Sequence, residues 1–164
     1  NAGSSAKGEF GVVLMIRLRN TLFALIGMAF ISSSAFAEQT VVVEANDQMK
    51  FSVNKIEAKA GSELTIVLKN VGSMPKAAMG HNLVVLTKAA NAAAFSQAAA
   101  ASPATEYIPP AMKDQVLAAT KMLGPKEEDS ITFTVPSEPG EYVYLCSFPA
   151  HYIVGMKGVI VVTE

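Results

Sequence analysis

The segment Glu141-Tyr142-Val143-Tyr144-Leu145-Cys146, followed by Ser147-Phe148-Pro149-Ala150-His151-Tyr152-Ile153-Val154-Gly155-Met156 and then Lys157-Gly158-Val159-Ile160-Val161-Val162-Thr163, reads as strand, loop and strand. β-Branched and aromatic side chains dominate the outer pieces, and such residues fit a pleated, half-buried surface. The closing run is nearly continuous in apolar residues, so it predicts a central strand covered on both faces. Three residues able to bind a soft metal, Cys146, His151 and Met156, fall in the loop between the two strands. A loop pinned at both ends by strands is a scaffold that can impose a geometry on what it holds.

Working outward, further β-rich runs occupy residues 40–44, 50–58, 64–68, 82–87 and 130–135. Turn formers separate them at Ala60-Gly61-Ser62, Val71-Gly72-Ser73 and Pro136-Ser137-Glu138-Pro139-Gly140. Short strands punctuated in this way predict an all-β sandwich. Residues 89–122 break the rhythm. They are rich in Ala, place Met112, Val116, Leu117 and Met122 at helical spacing, and are interrupted by Pro103, Pro109 and Pro110. They predict a small helical flap inserted between strands, covering an open end of the sandwich and carrying no chemistry.

Upstream, Met15 opens an export signal: Arg17 and Arg19, an apolar run over 22–31, then Ala35-Phe36-Ala37 as a small-residue cleavage site. The apolar run is about half the roughly 20 residues a bilayer crossing needs, so a membrane-spanning helix is not expected. Residues 1–14 precede the expected initiator and carry no pattern. Residues 38–164 are left as one domain, exported and not held in a membrane. That part has ten Lys, no Arg and thirteen acidic residues, for a net charge of −3 with neutral His. Nucleic acid is therefore not an expected partner.

Cys146 is the only cysteine, so no internal disulfide can form, and an exported lone thiol needs another explanation. A metal-held thiolate supplies one. The chain has only two histidines, His151 in the same loop and His81 65 residues before Cys146 in Met79-Gly80-His81-Asn82. Singly, His81 would read as a structural histidine and Met156 as core filler. Together, a thiolate, two imidazoles and a weak axial thioether describe a type 1, or blue, copper site for electron transfer. Zinc is the rival ion, but no carboxylate stands in the loop to act as a base, and Met is a poor zinc ligand.

From 40 to 163 the chain resembles cupredoxins of the azurin and auracyanin group. The resemblance lies in Asn46-Asp47-Gln48-Met49, Pro75-Lys76, Met79-Gly80-His81-Asn82 and Cys146-Ser147-Phe148-Pro149-Ala150-His151. Four residues separate His151 from Met156, as in auracyanin, where azurins have three. The resemblance implies an eight-stranded Greek-key β-sandwich and a distant fifth ligand in the Gly80 carbonyl. It also implies an apolar patch around His151, made of Met49, Met74, Ala78, Met79, Phe148 and Ala150, where redox protein partners dock. Asn82 is expected to hydrogen-bond across to the Cys146 loop, with Ser147 and Phe148 forming the surroundings of the thiolate. The chain departs from azurins in lacking their disulfide, in carrying Leu83 where a buried Trp is usual, and in having Asn70-Val71-Gly72-Ser73 where many have a titrating histidine.

The expected function is a periplasmic electron carrier, not an enzyme, that shuttles one electron between Cu(I) and Cu(II) through the edge of His151. The alternative is copper trafficking or storage, with Met49, Met74 and Met79 as transfer ligands. A copper enzyme is disfavoured because no further His remains for a catalytic ion.

Overall fold

The computed structural model describes residues 38–164, so the expected export signal and its upstream segment lie outside the described residues. Nine hydrogen-bonded strands among them form two sheets packed face to face. In chain order these are β1 (Glu38–Asn46), β2 (Lys50–Phe51), β3 (Lys55–Lys59), β4 (Glu63–Asn70), β5 (Val84–Leu86), β6 (Val116–Ala119), β7 (Glu128–Thr134), β8 (Gly140–Leu145) and β9 (Lys157–Thr163). One sheet runs β2-β1-β4-β7 and the other β3-β9-β8-β5-β6. The β1–β4 and β3–β9 pairs are parallel and the remaining pairs antiparallel. The result is a Greek-key β-sandwich.

Period-two alternation builds the core. Val43 and Ala45 from β1, Leu64, Ile66 and Leu68 from β4, Tyr142 and Tyr144 from β8, and Ile160 and Val162 from β9 all point inward and are buried. Each large side chain removed from water contributes about 1.5–3 kcal/mol, so this shared layer is what clamps the sheets. Gly158 is required where it stands: a Cβ there would collide with the ring and hydroxyl of Tyr144, which donates to the Val53 carbonyl at 2.6 Å.

Three expectations change in detail. The run 50–58 is two strands, because the chain crosses from one sheet to the other over residues 52–54, and this contributes to a count of nine where the resemblance implied eight. β9 is central, between β3 and β8, but Val159 and Val161 are only half-buried, so one face is fully covered and the other partly. In the insertion, the helix α2 (Ala92–Ala99) forms as expected, following the four-residue helix α1 (Lys76–Met79). The Asn91 side chain caps α2 by accepting from Ala94 N at 3.0 Å. Val116 and Leu117, however, belong to β6, which extends the five-stranded sheet beyond β5. The insertion also covers a sheet face: Phe95 is fully buried against Val84, Leu86 and Leu145 on the outer side of that sheet.

Candidate metal centre

β8 ends at Leu145 and β9 starts at Lys157, and the intervening loop is closed by its own backbone. Cys146 N donates to the Met156 carbonyl at 3.1 Å, Met156 N to the His151 carbonyl at 3.0 Å, and His151 N to the Phe148 carbonyl at 3.1 Å. Two left-handed residues, Ala150 at φ 69° and Gly155 at φ 98°, allow the chain to turn that tightly. His81 arrives from the other side of the sandwich end, tied to Leu123 by a pair of backbone hydrogen bonds of 3.1 and 2.7 Å.

These two segments bring three donors together. Cys146 Sγ lies 3.3 Å from His151 Nδ1 and 4.0 Å from His81 Nδ1, and the three donor atoms all lie within 4.8 Å of one another. Cys146, His81 and Met156 are fully buried and His151 is 2% exposed. The Gly80 carbonyl stands 4.0 Å from the sulfur. No carboxylate joins the donor cluster among the described residues. Asp47 approaches His81 closely enough to act on its charge, but its carboxylate is taken up by Ser73 N and Oγ at 2.8 and 2.9 Å.

The chain matches the family of copper binding proteins, plastocyanin/azurin family, over residues 37–163. It belongs to that family. It is 41% identical to azurin from Alcaligenes faecalis over 123 residues, covering 73% of this chain and 94% of that azurin. Azurin-2 from Alcaligenes xylosoxydans xylosoxydans is 41% identical over 127 residues, covering 76% and 97% respectively. Among solved structures, dithionite-reduced auracyanin from the photosynthetic bacterium Roseiflexus castenholzii matches with a TM-score of 0.68 at 33% identity, covering 76% of this chain and 97% of that one. Membership in the plastocyanin/azurin family makes the chain a copper-binding cupredoxin and implies a blue-copper electron carrier.

The donor set fits copper on physical grounds too. Burial pushes the Cys146 thiol up to about 12, against a smaller opposing effect of the Asn82 and Phe148 backbone. Burial, with the nearby His81 charge, pulls His151 down to about 4. His81 is lowered as well, again chiefly by burial, with Asp47 and the Asn46 backbone opposing. Without an ion, the site therefore holds a neutral thiol and neutral imidazoles. A soft thiolate beside two imidazoles in a dry pocket is the set that cupredoxin copper requires, and binding must release the thiol proton. His81 Nε2 is buried without a partner in hydrogen-bond geometry, although the Asn46 backbone is near enough to favour the charged ring.

Asn82 meets its expected role. Its Oδ1 accepts from Ser147 N at 2.8 Å and from Ser147 Oγ at 3.1 Å, and its Nδ2 donates to Ser147 Oγ at 2.8 Å. A fully buried amide thus sutures the His81 segment to the Cys146 loop. Of the patch residues, Met74, Ala78 and Ala150 are exposed, whereas Met49, Met79 and Phe148 are half-buried. Two exposed apolar residues were not anticipated: Ile153 at 81% and Val154 at 56%, within the ligand loop itself. Their signal was present in the four-residue spacing from His151 to Met156, which must bulge outward. Glu106 and Tyr107, in the insertion, also reach the site, with no sequence signal that could have placed them.

Proposed function

We propose that this chain is a periplasmic blue-copper electron carrier. His81 Nδ1, Cys146 Sγ and His151 Nδ1 would hold the ion, with the Met156 thioether as a weaker fourth donor and the Gly80 carbonyl as a distant fifth. The observation that carries the reading is the convergence of the lone buried thiol with the Nδ1 atoms of both histidines. Bound copper supplies one-electron exchange between its two oxidation states. The residues do the rest. Cys146 gives up its proton to become the soft anionic donor, and Asn82 and Ser147 hold that loop in one conformation. The buried walls keep water from the donors, so little rearranges when the charge changes.

Redox protein partners are expected at the apolar surface around His151, now taken to include Ile153 and Val154 beside Met74, Ala78 and Ala150. Such transient contacts use small interfaces and need no charge pairing. Burial of all the donors, with only His151 exposed and by 2%, supports shuttling over copper transfer, since a receiving site must reach the ligands to take the ion. The periplasmic placement rests on the export signal expected over 15–37; no helix among the described residues is long and apolar enough to cross a membrane. The test is a titration of the metal-free protein with Cu(II). An intense blue thiolate-to-copper absorption is expected, and Cys146→Ser should abolish it. A pale complex, or a Cys146→Ser variant that stays blue, overturns the assignment.

A further inference from the structure

One corner of the insertion touches the metal site twice, at Asn82 beside His81 and at Phe148 in the metal loop. The Glu106 carbonyl accepts from Asn82 Nδ2 at 3.3 Å, the same amide that sutures Ser147. The Tyr107 ring lies 5.1 Å from Phe148 at 59°, and Phe148 lies 4.7 Å from His151 at 40°. A tilted aromatic file therefore runs from a donor imidazole to the half-buried Tyr107.

The backbone at this corner is unusual. Glu106 and Tyr107 have φ of 53° and 61°, two successive non-glycine residues in the left-handed region. Such conformations persist only where the surroundings hold them, and they gather at functional sites. The surroundings here are explicit. Tyr107 N donates to the Ser102 carbonyl at 2.9 Å and Glu106 N to that of Pro103 at 3.3 Å, while Glu106 Oε2 accepts from Met122 N at 3.3 Å. Beside the corner a cavity of about 230 Å³ is lined by Tyr107, Phe148, Met122 and Lys76. Removing the Tyr107 ring would widen that space alongside Phe148.

We propose that Glu106 and Tyr107 are positioning residues for the metal loop, fixing Asn82 through the Glu106 carbonyl and His151 through the stacked rings of Tyr107 and Phe148. The insertion thereby acts as a brace on the donors. This deepens the copper-carrier reading, on which only the loaded-protein arm of the test depends.

The test uses the full chain. In the metal-free form, alkylation of the buried Cys146 thiol by N-ethylmaleimide should be about tenfold faster in Tyr107→Ala, beyond what the variant's loss of global stability accounts for. Tyr107→Phe, which keeps the ring, should restore the parent rate. In the copper-loaded form, Tyr107→Ala should shift the copper hyperfine splitting and the thiolate-to-copper absorption, and Tyr107→Phe should return both. If Tyr107→Ala does not fold, Tyr107→Leu keeps apolar bulk and replaces it in both arms. A ring-deleted variant with parent-like alkylation and a parent-like spectrum overturns the proposal, whatever its melting temperature. Should the parent give no blue complex, the copper reading fails while the alkylation comparison still decides the brace.

Discussion

Replacing Asn82 with Ala removes the suture between the two segments of the site. Its amide makes four contacts: two accepted from Ser147, one donated to Ser147 Oγ and one donated to the Glu106 carbonyl. The bond to the Glu106 carbonyl is long, at 3.3 Å, and only part-buried, so that loss is the smaller one. Ser147 is 1% exposed and cannot turn to water. Its N–H would be left buried and unpaired, a cost of about 1–3 kcal/mol, and its hydroxyl would lose two partners. The small void left by the amide adds to this, and the total is about 3 kcal/mol. For a domain of this size that corresponds to a fall in melting temperature of about 10 °C. Thermal unfolding of the copper-free variant and parent, followed by circular dichroism, measures it. A fall of less than about 3 °C would mean the suture contributes almost nothing, refuting the claim that this amide holds the loop.

Gly158→Ala drives a methyl group into the Tyr144 ring and should break its bond to the Val53 carbonyl, costing about 3 kcal/mol in urea unfolding; an unchanged midpoint would show that the ring has room to move. The His151 imidazole is held neutral in the fold, pulled down to about 4 from an ordinary 6.5, so the unfolded chain takes up the proton first as pH falls. Copper-free stability should be fully present above about pH 6.5 and decline towards pH 4. The full shift is worth at most about 3 kcal/mol. His151→Gln should reduce that slope, leaving the smaller part due to His81, and urea midpoints at pH 7 and pH 4.5 decide. Met74→Lys, at an exposed patch position, should slow electron self-exchange about tenfold at low ionic strength with the blue spectrum intact; a parent-like rate places the contact elsewhere.

The donor set was legible because its residue types are scarce: with one Cys and two His in the chain, few other constellations are possible. The main strands were legible through alternation, as in β4, where Leu64, Ile66 and Leu68 face the core. Alternation did not reveal where a strand changes partners. The 50–58 run reads as continuous, yet its halves hydrogen-bond into different sheets. Val116-Leu117-Ala118-Ala119 favours helix by composition, and pairing with β5 overrides that preference. Glu106 and Tyr107 were illegible for a different reason. Their contribution comes from a carbonyl and from a ring placed by strained backbone, neither of which residue type announces.

The parallel pairing of β3 with β9 has a consequence in time. Lys55 lies opposite Val159, so this ladder joins positions about a hundred residues apart and cannot close until nearly the whole chain is available. Contacts so distant in sequence make folding slow, since loop-closure entropy is spent before any contact repays it. Because β9 directly follows the ligand loop, the donors reach their final spacing only at the end of that search. Until its last strand is available, the chain therefore cannot hold the donors at their final spacing.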